Sequence, residues 1–230
     1  MLIETGAVKK LAKLLKKAED PEVIANCVTV LSILGGNPEV STYIREKELL
    51  KYIIKGLGHD DERVRQNCVA AVWNLAHIEE NKDPMKDLGA VQGMIDLLDS
   101  EDEETLWKTL GAVITMGSHE GTSKEFRESE GIEKLVPLIE NPDNERVCLY
   151  ALIAIAVLAY EDDNKDAIRD AGAFGPIIDL LNSENESLIE KACASLLNLS
   201  LNDENRVVVR QLDGIGNKKK NFFFNKHFFI

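Results

Sequence analysis

The side chains best suited to catalysis or metal binding in this 230-residue chain are four histidines and four cysteines. They are Cys27, Cys68, Cys148, Cys193, His59, His77, His119 and His227. None forms a C-x-x-C pair or a zinc-ligand spacing, and neither a G-x-S-x-G nucleophile motif nor a phosphate-binding glycine loop occurs. We expect the cysteines to be reduced thiols in the interior. The sequence therefore predicts a non-enzymatic protein with no catalytic residue, metal, cofactor or small-molecule substrate.

The composition limits the class of partner. The formal charge is −13, with 44% hydrophobic and 29% charged residues, which is typical of a soluble globular or repeat protein. Nucleic-acid binding requires a clustered basic face, so no nucleic-acid partner is predicted. The longest apolar run, residues 147–160, is shorter than the roughly 20 residues of a membrane-spanning helix. Because the N-terminus also lacks a secretory signal, we predict a cytoplasmic location, with cytoskeletal or nuclear association as variants.

A repeat of 41 or 42 residues organises the chain. The phrases DLGAVQGMIDLL (87–98) and DAGAFGPIIDLL (170–181) are identical at seven of twelve positions. The first apolar residue of this phrase recurs at Val8, Leu50, Val91, Ile132, Phe174 and Ile215. Apolar residues then return at helical spacing, as at Ile132, Leu135 and Ile139. Each repeat is therefore predicted to contain an amphipathic helix that begins at this anchor.

Two further helices complete each repeat. A polar acidic turn, such as KAEDPE or GHDDER, follows the anchor helix and precedes a longer apolar helix. These turns are predicted to cap and solvate the long helix, and a one-sided acidic surface for a basic partner is the alternative. Before each anchor lies a short segment in which Asn81 and Asn164 are predicted to cap a helix start. Each repeat of about 41 residues is thus predicted to hold three helices.

The period and the phrases resemble armadillo repeats. The phrase NKDAIRDAGAFGPIIDLL followed by ACASLLNLS carries the likeness, as does GAV…LL followed by AAVWNLA. This resemblance implies an all-α, right-handed superhelical solenoid of about five three-helix repeats over residues 1–213, with a sixth repeat starting at Ile215. Neither end has the polar capping repeat of a complete solenoid. The chain is therefore expected to be a fragment of a longer armadillo-repeat protein.

Residues 214–230 break the repeat. This tail contains five of the seven phenylalanines in the chain, and after Gly216 it consists almost entirely of Lys, Asn, Phe and Ile. AT-rich codons encode these residues, which favours a translated intron or a disordered tail. The alternative is a basic and aromatic anchor for a membrane or a partner. The transcript sequence across residues 212–217 distinguishes the two, because intron junctions there exclude an anchor.

The resemblance implies that the third helix of each repeat lines a concave groove for a peptide or a partner helix. A rotation of 100° per residue assigns side chains to it. The predicted groove residues are Arg63, Asn67, Asn74, Lys108, Met116, Arg146, Tyr150, Ile153, Val157 and Asn198. Asn74 and Asn198 match a family Asn whose amide binds a peptide backbone. The family's groove Trp is replaced by Ala70 and Ala194, and Trp73 is predicted to lie at the side of the groove.

This groove predicts the class of function. Its apolar middle, flanked by cations, suits an amphipathic helix or a short apolar-acidic peptide better than a basic one. The leading hypothesis is a protein-protein interaction scaffold of the cytoskeletal, axonemal or signalling type. The alternative is the substrate-binding part of a U-box ubiquitin ligase, which a U-box upstream of Met1 would favour. A nuclear-import adaptor is less favoured, because the regular ladder of Asn and Trp is incomplete.

Overall fold

A computed structural model describes residues 6–141 and 144–215, with side chains up to residue 212. This part of the chain contains fifteen α-helices, two short 3-10 helices (Gly56–Gly58 and Glu79–Asn81) and no β-strand. The all-α prediction is therefore confirmed. The tail from residue 216, and the sixth repeat beyond its first residue, lie outside the described residues.

Every third helix from α2 to α14 is longer than the helices on either side of it. In chain order they are α1 (Ala7–Leu15), α2 (Pro21–Leu34), α3 (Pro38–Glu46), α4 (Leu50–Lys55), α5 (Glu62–Leu75), α6 (Lys82–Asp87), α7 (Ala90–Leu97), α8 (Glu103–Gly117), α9 (Glu120–Glu128), α10 (Gly131–Glu140), α11 (Glu145–Leu158), α12 (Asp162–Asp170), α13 (Phe174–Leu180), α14 (Glu186–Leu199) and α15 (Asp203–Ile215). Helices α2, α5, α8, α11 and α14 are the long third helices, and each packs on the next in series. Helices α3, α6, α9 and α12 are the short first helices, with six to nine residues, and α15, with thirteen, occupies the same place after α14.

Each long helix begins at an Asp or Asn whose side chain caps it. The capping residues are Asp20, Asp61, Asp102, Asn144 and Asn185. At Asp102, the carboxylate Oδ1 accepts a hydrogen bond from the backbone N–H of Thr105 at 2.7 Å, and this bond is the main reason that the pKa of Asp102 is lowered. The prediction that the acidic turns cap the long helices is confirmed, and the negative charge also suits the positive end of the helix dipole.

A left-handed backbone conformation marks the turn before each anchor helix. Gly6, Gly89 and Gly172 have φ of 74°, 87° and 83° at these turns. Glu48 and Glu130 occupy the equivalent turns with φ of 54° and 59°. Glycine adopts this conformation without a steric penalty, whereas a residue with a Cβ is strained there. The Gly of the repeated phrase is therefore explained by backbone geometry.

Buried apolar residues from successive helices form one continuous core. Cys27, Cys68 and Cys148 lie buried in it as free thiols, and Cys193 is partly buried. Desolvation by burial raises the pKa of Cys68 to about 12 and that of Cys148 to about 11. These thiols therefore stay protonated, as expected for cysteines with a packing role.

The short first helices are connected by buried polar side chains. Asn164 is 0% exposed, and its amide Nδ2 donates to the Leu158 carbonyl at 3.0 Å and to Ser123 Oγ at 2.7 Å. Its Oδ1 accepts from the Arg127 guanidinium at 3.0 Å. The prediction that Asn164 caps a helix start is therefore wrong, because its side chain is bonded to the preceding repeat instead.

The same arrangement recurs along the solenoid. Asn81 donates to the Leu75 carbonyl at 2.7 Å and to Ser41 Oγ at 3.0 Å, and it makes no capping bond, so that prediction is also wrong. Asn205 donates to the carbonyls of Leu199 and Lys165 at 3.1 and 3.2 Å. We call the set of these side chains the polar ladder. Its members are Ser41, Asn81, Ser123, Asn164 and Asn205.

Candidate functional site

The five long helices expose one side each, and we call the surface that these sides form the groove face. Hydrogen bonds join its first two helices, α2 and α5. The Thr29 hydroxyl donates to Asn67 Oδ1 at 3.0 Å, and Asn74 Nδ2 donates to Ser32 Oγ at 3.0 Å. Asn67 also donates to the carbonyl of Arg63 at 2.8 Å and is half-buried, whereas Asn74 is exposed. Of these two predicted groove residues, Asn74 is the more accessible to a partner.

Three aromatic rings meet at the middle of the groove face, one from each of α5, α8 and α11. The ring centroids of Trp73 and Trp107 are 5.7 Å apart, and the Tyr150 ring lies 6.0 Å from each. All three pairs meet edge to face, an arrangement that aromatic quadrupoles favour. We call Trp73, Trp107 and Tyr150 the aromatic cluster. Each ring is half-buried, so part of it faces solvent.

Trp73 reaches this cluster by crossing the surface of α8. A Cβ built on Gly111 would lie 2.7 Å from the Trp73 ring, so the indole packs directly over that glycine. The prediction that Trp73 lies at the side of the groove is therefore corrected. The sequence analysis missed Trp107, although both tryptophans of the chain fall in consecutive long helices.

Cationic side chains surround the aromatic cluster. The Arg146 guanidinium carbon lies 5.3 Å from the Trp107 ring centroid, and Lys108 Nζ lies 6.0 Å from it, both within cation–π range. The Lys108 side chain is only 15% exposed and pairs with Glu104 at 2.6 Å. Arg146 is exposed, and no hydrogen bond or ion pair joins it to the described residues. Arg146 therefore offers the more available charge.

The remaining predicted residues differ in accessibility. Asn198 is half-buried, and its Nδ2 donates to the Ala156 carbonyl at 3.1 Å, which joins α14 to α11. Ile153 and Val157 are half-buried on α11. Arg63 is 61% exposed, with a loose ion pair to Asp61 at 3.5 Å.

Met116 is the one predicted groove residue that lies inside the protein. Its side chain is 0% exposed. The buried residues of α5 coincide with buried residues of α8 after a step of 41 residues, so Met116 takes the place of the buried Leu75 and Thr115 that of the exposed Asn74. Met116 is therefore a core residue and is left out of the groove face.

Large apolar side chains are exposed at or just after the C-terminal ends of three long helices. Ile33 on α2 is 68% exposed, and Leu197 on α14 is 54% exposed. Tyr160 and Leu201 follow α11 and α14 and are 74% and 69% exposed. The sequence analysis did not select these last three residues.

A metal site and a membrane-spanning helix would each indicate another kind of function. Within residues 6–141 and 144–215, no three His, Cys, Asp or Glu side chains are grouped so that they could hold a metal ion. None of the helices described there has both the length and the apolar character needed to cross a bilayer.

Comparisons with known proteins identify the fold. A designed armadillo repeat protein superposes with a TM-score of 0.81 at 25% identity over 89% of this chain and 87% of that one. Another, solved in complex with the peptide (KR)4, gives 0.82 at 24% identity over 90% and 88%. The armadillo repeats only protein ARO from Plasmodium falciparum gives 0.69 at 21% identity over 77% and 80%. The armadillo resemblance and the solenoid fold are confirmed.

The family comparison is more specific than the structural one. The family model described as "Kinesin-associated protein (KAP)" matches residues 4–225. No curated protein matches the chain.

Proposed function

The chain belongs to the kinesin-associated protein family, and we propose that it is a non-enzymatic scaffold that holds a segment of a kinesin polypeptide along its groove face. The proposal includes a cytoplasmic location in association with the cytoskeleton. Its main support is the family match over residues 4–225, because the family is described by its association with kinesin. This is the cytoskeletal form of the interaction scaffold predicted from the sequence.

The groove face supports the proposal through the kinds of side chain that it exposes. Partner surfaces combine aromatic and apolar anchors with arginines. The aromatic cluster, the exposed Ile33 and the exposed Arg63 and Arg146 fit that description. A helix or an extended segment can place side chains against several repeats at once, since the long helices lie in series.

No observation favours the two other hypotheses. The import adaptor depends on a regular series of exposed Asn amides, and here the Asn198 amide is bonded to the Ala156 carbonyl. The ubiquitin ligase depends on a U-box, which only sequence upstream of Met1 can reveal.

The test is direct binding of kinesin fragments to the purified full chain. Fragments that cover a kinesin heavy chain outside its motor domain are titrated by biolayer interferometry. At least one fragment is expected to bind with a micromolar or tighter Kd. A triple variant, Ile33→Ser, Arg63→Ser and Asn74→Ser, is expected to weaken that binding by about tenfold or more, since exposed apolar and Arg contacts carry interface energy.

A matched triple variant on the other side of the solenoid is the control. Lys51, Leu88 and Lys124 are exposed and lie away from the long helices, and we change each of them to Ser. This variant should bind like the wild type. Equal weakening by both triples, or no binding by any kinesin fragment, would contradict the proposal.

A further inference from the structure

We infer that the aromatic cluster and Arg146 together determine which segment binds, by taking an acidic side chain of the partner beside a large apolar one. This inference rests on the proposed function, because it assigns the chemistry of the segment that the groove face holds. It makes Arg146 a specificity-determining residue. It also gives the two tryptophans and Tyr150 the role of apolar platform.

The charge of Arg146 is not paired with any described carboxylate. The ring contact uses the guanidinium carbon, 5.3 Å from the Trp107 centroid, and no described side chain accepts from the N–H groups. A guanidinium has five N–H donors in a planar fork that matches a carboxylate. Packing on Trp107 restricts the side chain in advance, so less conformational freedom is lost when a carboxylate binds.

The two other cations among the predicted groove residues are already engaged. Lys108 is held by Glu104 at 2.6 Å, and its side chain is only 15% exposed. Arg63 has Asp61 as a partner at 3.5 Å. Arg146 is therefore the cation near the rings whose charge is least neutralised, and an acidic group of the partner complements it. A basic segment would instead place like charges beside Arg146 and Lys108, which is unfavourable.

The residues around Tyr150 indicate that the partner supplies a large apolar side chain. The three half-buried rings form a surface over α5, α8 and α11, and Ile153 and Val157 continue it along α11. A large apolar side chain placed there would remove ring and aliphatic surface from water. Because Arg146 and Tyr150 are four residues apart on α11, they lie on the same side of that helix, and the acidic and apolar side chains of the partner must be close together.

The experiment selects peptides on the full chain and then measures them. A phage-displayed library of random 12-residue peptides is selected separately on the wild type, on Arg146→Gln and on Arg210→Gln. Arg210 is an exposed arginine of α15 and is the matched control. We expect the wild type and Arg210→Gln to enrich Asp or Glu beside Trp, Phe or Leu. Arg146→Gln should keep the apolar preference and lose the acidic one.

The affinity measurement makes the expectation quantitative. The selected peptide and its Glu→Gln form are compared by fluorescence anisotropy. On the wild type the neutral form should bind about tenfold more weakly, as expected for the loss of a charge-assisted bond. On Arg146→Gln the two forms should bind alike. Arg146→Lys should recover only part of the difference, because a lysine lacks the planar fork.

Several outcomes would overturn the inference. These are enrichment of basic peptides, no enrichment at all, or an acidic preference that survives Arg146→Gln. Thermal melting of each variant by circular dichroism confirms that the exposed substitution leaves the fold intact. The kinesin fragments separate the two proposals. Binding of a fragment without any effect of Arg146 defeats only the inference, whereas an Arg146-dependent acidic preference without a kinesin partner defeats only the proposed function.

Discussion

Asn164 in the polar ladder and Asn74 on the groove face are the same residue type, placed by the same 41-residue period. Asn164 is fully buried, and it bonds to Leu158, Ser123 and Arg127. Asn74 is exposed and donates one hydrogen bond, to Ser32. An asparagine that recurs at the repeat period therefore has no fixed role. Burial and the number of bonded polar groups decide whether the side chain stabilises the fold or is available to a partner.

The largest expected effect on stability comes from removing one side chain of the polar ladder. Asn164→Ala should lower the free energy of unfolding by about 3 kcal/mol, because it leaves the buried Leu158 carbonyl and Ser123 hydroxyl without their donor. Asn74→Ala should cost at most about 0.5 kcal/mol, as for other exposed changes. Urea titration followed by circular dichroism measures both. Equal losses would show that the two asparagines do not differ as described.

The next effect concerns the groove face itself. Gly111→Ala places a methyl group where the Trp73 indole now lies. Displacing the ring should cost about 2 kcal/mol, even though alanine favours a helix over glycine. Tryptophan fluorescence and near-ultraviolet circular dichroism should change with it. An unchanged spectrum together with a stabilised protein would mean that the aromatic cluster is not held by the close approach at Gly111.

The effect of pH on stability distinguishes the buried side of α5, which carries Cys68, from the side that faces the groove. The ordinary pKa of the Cys68 thiol is 9.0, and burial raises it to about 12 in the folded protein. Stability is unaffected below pH 9 and is lost above it, because the unfolded thiol ionises first. Between pH 8 and pH 10 the wild type should lose about 1.4 kcal/mol more than Cys68→Ala does. Parallel pH profiles for the two proteins would refute this account.

The smallest effects on stability are expected in the left-handed turns before the anchor helices. Glu130→Gly should stabilise the protein by about 0.5 kcal/mol, since glycine relieves the left-handed strain but gives a more flexible unfolded chain. The reverse change, Gly89→Ala, should destabilise it by about 1 kcal/mol. Melting curves compare the two variants. A loss of stability in Glu130→Gly would indicate that the Glu130 side chain contributes more than its backbone conformation costs.

Local patterns were sufficient to predict the architecture. The helices, the acidic caps such as Asp102 and the turn at Gly89 all depend on residues within one helix or one turn. Spacing in the sequence reports such features directly. The family match then supported the expected class of function, and this support does not depend on any single residue.

The candidate site could be predicted only in part, because its geometry depends on contacts between repeats. Asn164 finds Ser123 at a separation of 41 residues, and local rules assign it a cap instead. A step of 42 residues aligns Met116 with Asn74, yet the buried positions of α5 recur in α8 after 41 residues, which makes Met116 the equivalent of the buried Leu75. Trp107 gains its role from rings on two other helices. A comparison of polar residues at the repeat period, rather than within each helix, would have suggested the ladder.

The polar ladder has a mechanical consequence. A pull on the two ends of a solenoid passes through every junction between repeats in series, so the least connected junction yields first. Asn–Ser bonds cross from α3 to α6 and from α9 to α12. Between α6 and the turn that precedes α9, the described residues offer instead a Lys82–Ser118 hydrogen bond and a contact of 3.4 Å between Asp83 Oδ1 and His119 Nε2. The Trp107–Tyr150 contact crosses the same junction on the opposite side. A segment bound to those rings is therefore expected to stiffen the solenoid under tension. It would act at the junction where the first helices are least connected by polar contacts.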